Sequence, residues 1–260
     1  MTAKQKLQRV KLQQDRKTLA YERKYAKVVR VALREQVEAA INNRGVVDDP
    51  ILFNALKGLY ESILFDYLQF QYRLLDSRLT VKSVSFFLNP WRTWIQSYVF
   101  TSLAQRVTMI NDTTRKKIQD IIAIGVDKGL EWDKIAELLR QKTDDIGSVY
   151  RSLMIARTET ANAANMAKEK SSEDFQSETG EVIYKLWIHR FAKEPRTWHE
   201  SLDNDVAIPK SQDFMVSVPS SGGIEYMSRP HSSGASAENT VQCSCQVIYV
   251  SERFAKSLAN

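Results

Sequence analysis

EVIYKLWI, residues 181–188, is where the texture of this chain changes. Apolar residues alternate there, and the run is rich in β-branched and aromatic side chains, the composition of a strand. Before Gly180 the apolar residues recur at helical spacing; after it come extended segments and turns. Residues 209–239, PKSQDFMVSVPSSGGIEYMSRPHSSGASAEN, are turn-rich, with Gly222-Gly223 reading as a hairpin turn, and CQVIYV, residues 245–250, reads as a last strand. The expected fold is α+β: a mostly helical N-terminal two-thirds followed by a small C-terminal α+β module with few strands and long loops.

Working back from Gly180, residues 2–43 contain no Gly or Pro and predict a helix. Its apolar stripe is thin. Val10, Leu19, Tyr21, Val28, Val29, Val31 and Leu33 make a partial face, suited to a partner rather than to a core. The run from Asn42 to Pro50 marks a break, after which Leu52, Leu56, Leu59, Ile63, Tyr67, Phe70 and Leu74 stack on one helical face. Asn89-Pro90 reads as an N-cap and first-turn proline. The aromatics Phe86, Phe87, Trp91, Trp94, Tyr98 and Phe100 fit core packing better than base stacking. Ser148 opens a helix to about Lys170 with a small-residue stripe of Ala156, Thr160, Ala163 and Ala167. The expected divisions are a basic helical arm at 1–45, a helical domain at 46–178 and a C-terminal module at 179–260.

Charge is unevenly placed. The chain of 260 residues carries a net +6, yet residues 1–44 alone hold twelve Lys/Arg against four Asp/Glu. Lys4, Lys6, Arg9, Lys11, Arg16, Lys17, Arg23, Lys24, Lys27 and Arg30 are the candidate nucleic-acid contacts, since such a segment collects phosphates by counterion release. A solvated lysine-rich helix is the other reading. No apolar run approaches the ~18–20 residues of a membrane span, and the basic N-terminus lacks the apolar stretch of a secretory signal, so a soluble intracellular product is expected.

Both cysteines of the chain, Cys243 and Cys245, stand one residue apart. On a strand such residues share a face, which suits a metal better than a mutual disulfide. Zinc would need two more ligands, for which His199 and His231 are the candidates, with Asp203 behind them. Buried, hydrogen-bonded thiols are the alternative. No G-x-S-x-G, phosphate-cradling glycine loop or H-E-x-x-H occurs, so no catalytic residue is assigned. Arg196 and His199, in PRTWHESLD, would share a helical face, set either for an anion or for ordering a loop.

The order Ala156-Arg157-Thr158-Glu159-Thr160, Trp187, Arg196-x-x-His199-x-x-Leu202-Asp203, Phe214 and Cys243-x-Cys245 resembles the phage Mu F-like minor head proteins, or head morphogenesis proteins, of tailed bacteriophages. The likeness spans about residues 105–250 and includes the helical approach TTRKKIQDIIAIGVDKGLEWDKIAELL. Family members usually carry Asn before the first cysteine, Arg between the two and Gly after the Leu-Asp pair; this chain has Gln242, Ser244 and Asn204.

The resemblance implies a non-enzymatic minor capsid protein of the virion head interior, assembled in the host cytoplasm. Its implied partners are the portal protein, the major capsid or scaffolding protein, and packaged double-stranded DNA bound without sequence preference, with no membrane partner and no required cofactor. In that setting Arg157 and Glu159 would pair with polar groups of the C-terminal module such as Arg196, His199 or Asp203. A metal-dependent hydrolase or nuclease centred on the C-terminal His/Asp/Cys cluster is the alternative.

Overall fold

The structure, a computed structural model, describes residues 1–76, 81–190 and 196–259, with the backbone alone for 81–86. Phe86, one of the aromatics singled out above, has its side chain outside the described residues. Helices α1 (Ala3–Asn42), α2 (Asp49–Leu75), α3 (Val81–Tyr98), α4 (Ala104–Asp127), α5 (Trp132–Gln141), α6 (Thr143–Ile146) and α7 (Val149–Thr179) precede strand β1 (Ile183–Ile188). The short helix α8 (Thr197–Glu200), strands β2 (Ile208–Pro209), β3 (Phe214–Val218) and β4 (Gly223–Met227), helix α9 (Ala237–Thr240), strand β5 (Gln246–Ser251) and helix α10 (Glu252–Ala259) follow. The fold is α+β, helical first and with few strands. No helix among the described residues is long and apolar enough to cross a membrane.

Two compact units do not follow the consecutive boundaries 1–45, 46–178 and 179–260. One unit gathers Met1–Tyr21, Ser62–Thr93 and Arg157–Asn260; the other gathers Glu22–Glu61 and Trp94–Ala156. The expected arm is core: Leu7, Gln14, Thr18, Glu22, Tyr25, Val29, Leu33, Gln36 and Ala40 are buried at steps of three, four and seven, and Val37 is buried beside them. Val28 and Val31, counted as part of an apolar stripe, are exposed. The buried face of α1 is hard to see from hydropathy because several of its inward positions are polar.

In the second unit Val37, Ala40, Ile41, Ile118, Ile135, Ala136, Leu139 and Ile146 form the core. Gly125 is needed for a close approach there, since a Cβ would lie 2.6 Å from Ile135 Cγ1. Arg151 is buried and donates to the carbonyls of Ile146 and Ile110 and to Thr114 Oγ1. Burial lowers its guanidinium to about 10.

In the first unit the sheet order is β2-β1-β5, antiparallel throughout, and β3 and β4 make a separate hairpin. Leu186, Ile188, Ile248 and Val250 pack one face with Leu7, Ala255 and Leu258. Trp187 joins Phe214, Val216, Met227, Cys243 and Cys245 in a second cluster. Both faces of β1 are thus covered, and even Lys185 is buried.

The outer edge of β5 is closed by side-chain amides, which mimic a neighbouring strand. Asn165 of α7 accepts from the Val247 N–H at 3.0 Å and donates to the Cys245 carbonyl at 3.0 Å. Gln71 of α2 both donates to and accepts from the backbone of Tyr249, at 2.8 and 3.3 Å. An edge that would otherwise offer unpaired backbone groups is satisfied internally.

Two expected boundaries differ. Pro90 does not begin a helix but lies inside α3, at an exposed position. Helix α7 starts where expected, with Ser148 Oγ accepting from the Arg151 N–H, but continues to Thr179 and ends at Gly180, whose φ is +69°.

Candidate functional site

Cys243 and Cys245 do not lie on the last strand; they precede it, in the turn that leads into β5. Gln242 holds a φ of +59°, which swings the chain into this turn, and its N–H donates to Thr158 Oγ1 of α7 at 2.9 Å. The Cys245 N–H then donates to Cys243 Sγ at 3.4 Å. The thiols meet, as the spacing suggested, through a turn rather than through strand pleating.

His199, on α8, brings Nδ1 to 3.5 Å from Cys243 Sγ and 3.6 Å from Cys245 Sγ. Among the described residues, His199, Cys243 and Cys245 form a group whose ligand atoms all lie within 4.8 Å of one another, and it is buried. His231 lies against Cys243, its Nε2 2.9 Å from the Cys243 carbonyl oxygen. Trp187 stands edge-on to His199 with ring centres 5.3 Å apart. The hydrogen bond from the Cys245 thiol, with His199 and His231 beside it, holds the Cys243 thiol well below its usual range against the opposing push of burial. The same shared hydrogen, together with burial, holds Cys245 well above it.

Asn239, not singled out in the sequence, organises the group. It is fully buried, and Oδ1 accepts from His199 Nε2 and Trp198 Nε1, both at 2.9 Å. Nδ2 donates to the Ser217 carbonyl and to Glu225 Oε2, at 3.2 and 2.8 Å. Every hydrogen-bonding position of the amide is used. A cue was present in the sequence: Ser236 precedes Ala237-Glu238-Asn239 and caps α9, with Ser236 Oγ accepting from the Asn239 N–H.

The remaining candidates separate from this group. Asp203 is not behind the histidines; it accepts from the His189 N–H at 3.0 Å and pairs with Lys11 at 2.7 Å. Arg196 donates to the Val241 carbonyl at 2.6 Å, ordering the loop rather than holding an anion. Glu159 is buried and Arg157 half-buried, and Thr158 between them accepts from the Gln242 N–H of the cysteine turn. Arg196, His199 and Asp203 thus contact backbone, sulfur, Asn239 and Lys11.

The basic residues of α1 also divide. Lys11 pairs with Asp203 and Asp205, and although burial works against its charge these two carboxylates raise its pKa. Lys17 pairs with Asp66 at 3.0 Å, and Arg30 lies 3.8 Å from Asp144. Lys4, Lys6, Arg9, Arg16, Arg23, Lys24 and Lys27 are exposed. Of these, Arg9, Arg16, Arg23 and Lys27 follow one another at steps of seven and four and share a face of the helix.

No family model, curated protein or solved structure matches this chain.

Proposed function

We propose that this chain is a minor head, or head morphogenesis, structural protein of a tailed bacteriophage, associated with the portal and procapsid interior and contacting DNA during packaging or delivery. The observation that carries the proposal is convergence. Trp187, His199, Phe214, Cys243 and Cys245, which lie in the order characteristic of the Mu F-like head proteins, meet in one cluster, and Thr158 of the RTET stretch anchors the turn into it. A motif spread so widely along the chain, yet joined inside one unit, is what a structural signature needs.

Burial favours a structural role over hydrolysis. His199, Cys243 and Cys245 are 1%, 2% and 4% exposed, so a phosphodiester or peptide has no route to them in this arrangement. The departure at Gln242 also fits. That residue sits in the left-handed region, where the Asn usual in the family is tolerated best, so both residues serve the same turn.

The exposed cations of α1 supply the DNA contact by charge alone. Because α1 is core, its deletion would test folding rather than binding; reversing Arg9, Arg16, Arg23 and Lys27 to Glu tests the contact itself. Co-expression with the cognate portal protein, followed by nuclease treatment and affinity purification, tests the assembly role. A stable complex surviving nuclease is expected. Complete separation from portal in nuclease-treated lysate, with capsid and scaffolding proteins also absent, would overturn the proposal.

A further inference from the structure

We infer that His199, His231, Cys243 and Cys245 form a closed, structural zinc site within the first unit. The inference rests on this geometry and is independent of the phage reading.

Spacing is the first ground. With Zn–S about 2.3 Å and Zn–N about 2.0–2.1 Å, a tetrahedral ion holds a neighbouring sulfur and nitrogen about 3.5–3.6 Å apart. The distances from His199 Nδ1 to the two sulfurs are 3.5 and 3.6 Å. Both nitrogen–sulfur edges therefore already have the length such an ion requires, and the three donors lie within 4.8 Å of one another.

Tautomers are the second ground. Asn239 donates through Nδ2 to a carbonyl and a carboxylate, so its Oδ1 is the oxygen facing His199 and can only accept. The proton of His199 is thereby fixed on Nε2, and the lone pair of Nδ1 is aimed at the sulfurs. His231 repeats the device with a different acceptor: Nε2 meets the Cys243 carbonyl, which also can only accept. Donating the far ring nitrogen to an oxygen is how metal-binding histidines are oriented.

The third ground is an orphan. His231 is 4% exposed, and its Nδ1 has no hydrogen-bond partner. A buried, unpartnered lone pair is costly unless something fills it. Its backbone is held at a φ of +63°, and its carbonyl accepts from the buried Arg229 at 2.8 Å, so the ring is fixed in place by its loop. His231 lies outside the tight group of three, and a small shift of its loop toward the sulfurs that keeps the Nε2 contact would complete the four.

Two thiolates and two imidazoles in tetrahedral order select zinc among common ions. Binding displaces the two thiol protons, and the Cys245 N–H already donates to the Cys243 sulfur that would carry charge. Four protein ligands leave no position for a substrate, so the ion would brace the turn before β5 rather than catalyse.

The test uses the full-length chain. Elemental analysis of protein purified without chelator is expected to give about one zinc per chain. Titration of the chelator-treated protein with cobalt(II) should give intense tetrahedral d–d bands and thiolate charge-transfer absorption. Cys243→Ser and Cys245→Ser should each lose that charge-transfer intensity in part. His231→Ala should lower cobalt affinity about 100-fold or more while still binding through three ligands. Wild-type protein that takes up neither zinc nor cobalt overturns the site, and this arm does not depend on any variant folding. A His231→Ala chain with wild-type affinity and an unchanged d–d spectrum overturns His231 as a ligand.

Discussion

His199 Nε2 lies 2.9 Å from Asn239 Oδ1, and this contact determines which face of the imidazole chemistry is offered to the two cysteines. Because Asn239 is fully buried with all four hydrogen-bonding positions engaged, truncating it strands several groups at once. Asn239→Ala is expected to cost roughly 2–4 kcal/mol in urea unfolding. A loss under ~0.5 kcal/mol would show that the network does not organise the unit.

Asn165 and Gln71 close the open edge of β5, and their removal should matter more than their polarity suggests. Asn165→Leu leaves the Val247 N–H and the Cys245 carbonyl without their partner in the interior. A destabilisation of roughly 2–4 kcal/mol is expected, with faster amide exchange at Val247. Unchanged exchange there would mean that another group covers the edge.

Lys185 gives the pH dependence a sign. Burial lowers its pKa to about 8, while its Nζ donates to the Ser228 carbonyl at 2.7 Å. The unfolded chain, with a lysine pKa of about 10.4, binds the proton more tightly than the folded chain, so stability rises as pH climbs from about 8 toward 10.4. Below pH 8 the full penalty is present. Relative to Lys185→Met, the wild type should gain roughly 2–3 kcal/mol across that window. Parallel stability curves for the two proteins would contradict a depressed lysine.

Gln242 is strained where it stands, at a φ of +59°. Gln242→Gly keeps the backbone N–H that Thr158 receives and removes the Cβ conflict, so a gain of about 0.5–1 kcal/mol is expected. A clear loss instead would show that the Gln242 side chain carries contacts worth more than the strain.

The sequence made the class of fold legible because its period changes at Gly180, and the span 181–188 indeed holds β1. It made the meeting of His199 with Cys243 and Cys245 legible because both cysteines and all three histidines of the chain lie within residues 189–245. It hid the burial of α1, since Gln14, Thr18, Glu22 and Gln36 face inward and hydropathy counts them as solvent positions. Domain boundaries were hidden for a related reason: each unit is assembled from separated segments, and local pattern carries no information on which distant segments meet. Asn239 and Asn165 were invisible because a buried amide is distinguished only by its partners. Asp203 was misplaced because the positive charge it meets, Lys11, lies at the opposite end of the chain.

If His199, Cys243 and Cys245 serve as internal structure, both thiols must be shielded for as long as the chain is folded. The most direct measurement is the rate at which an aromatic disulfide reagent labels the native protein, compared with the same protein in guanidinium. The two cysteines should remain unlabelled in the native state and react together, two per chain, on unfolding. Labelling of either thiol in the folded chain at the rate of an exposed cysteine would contradict a buried junction.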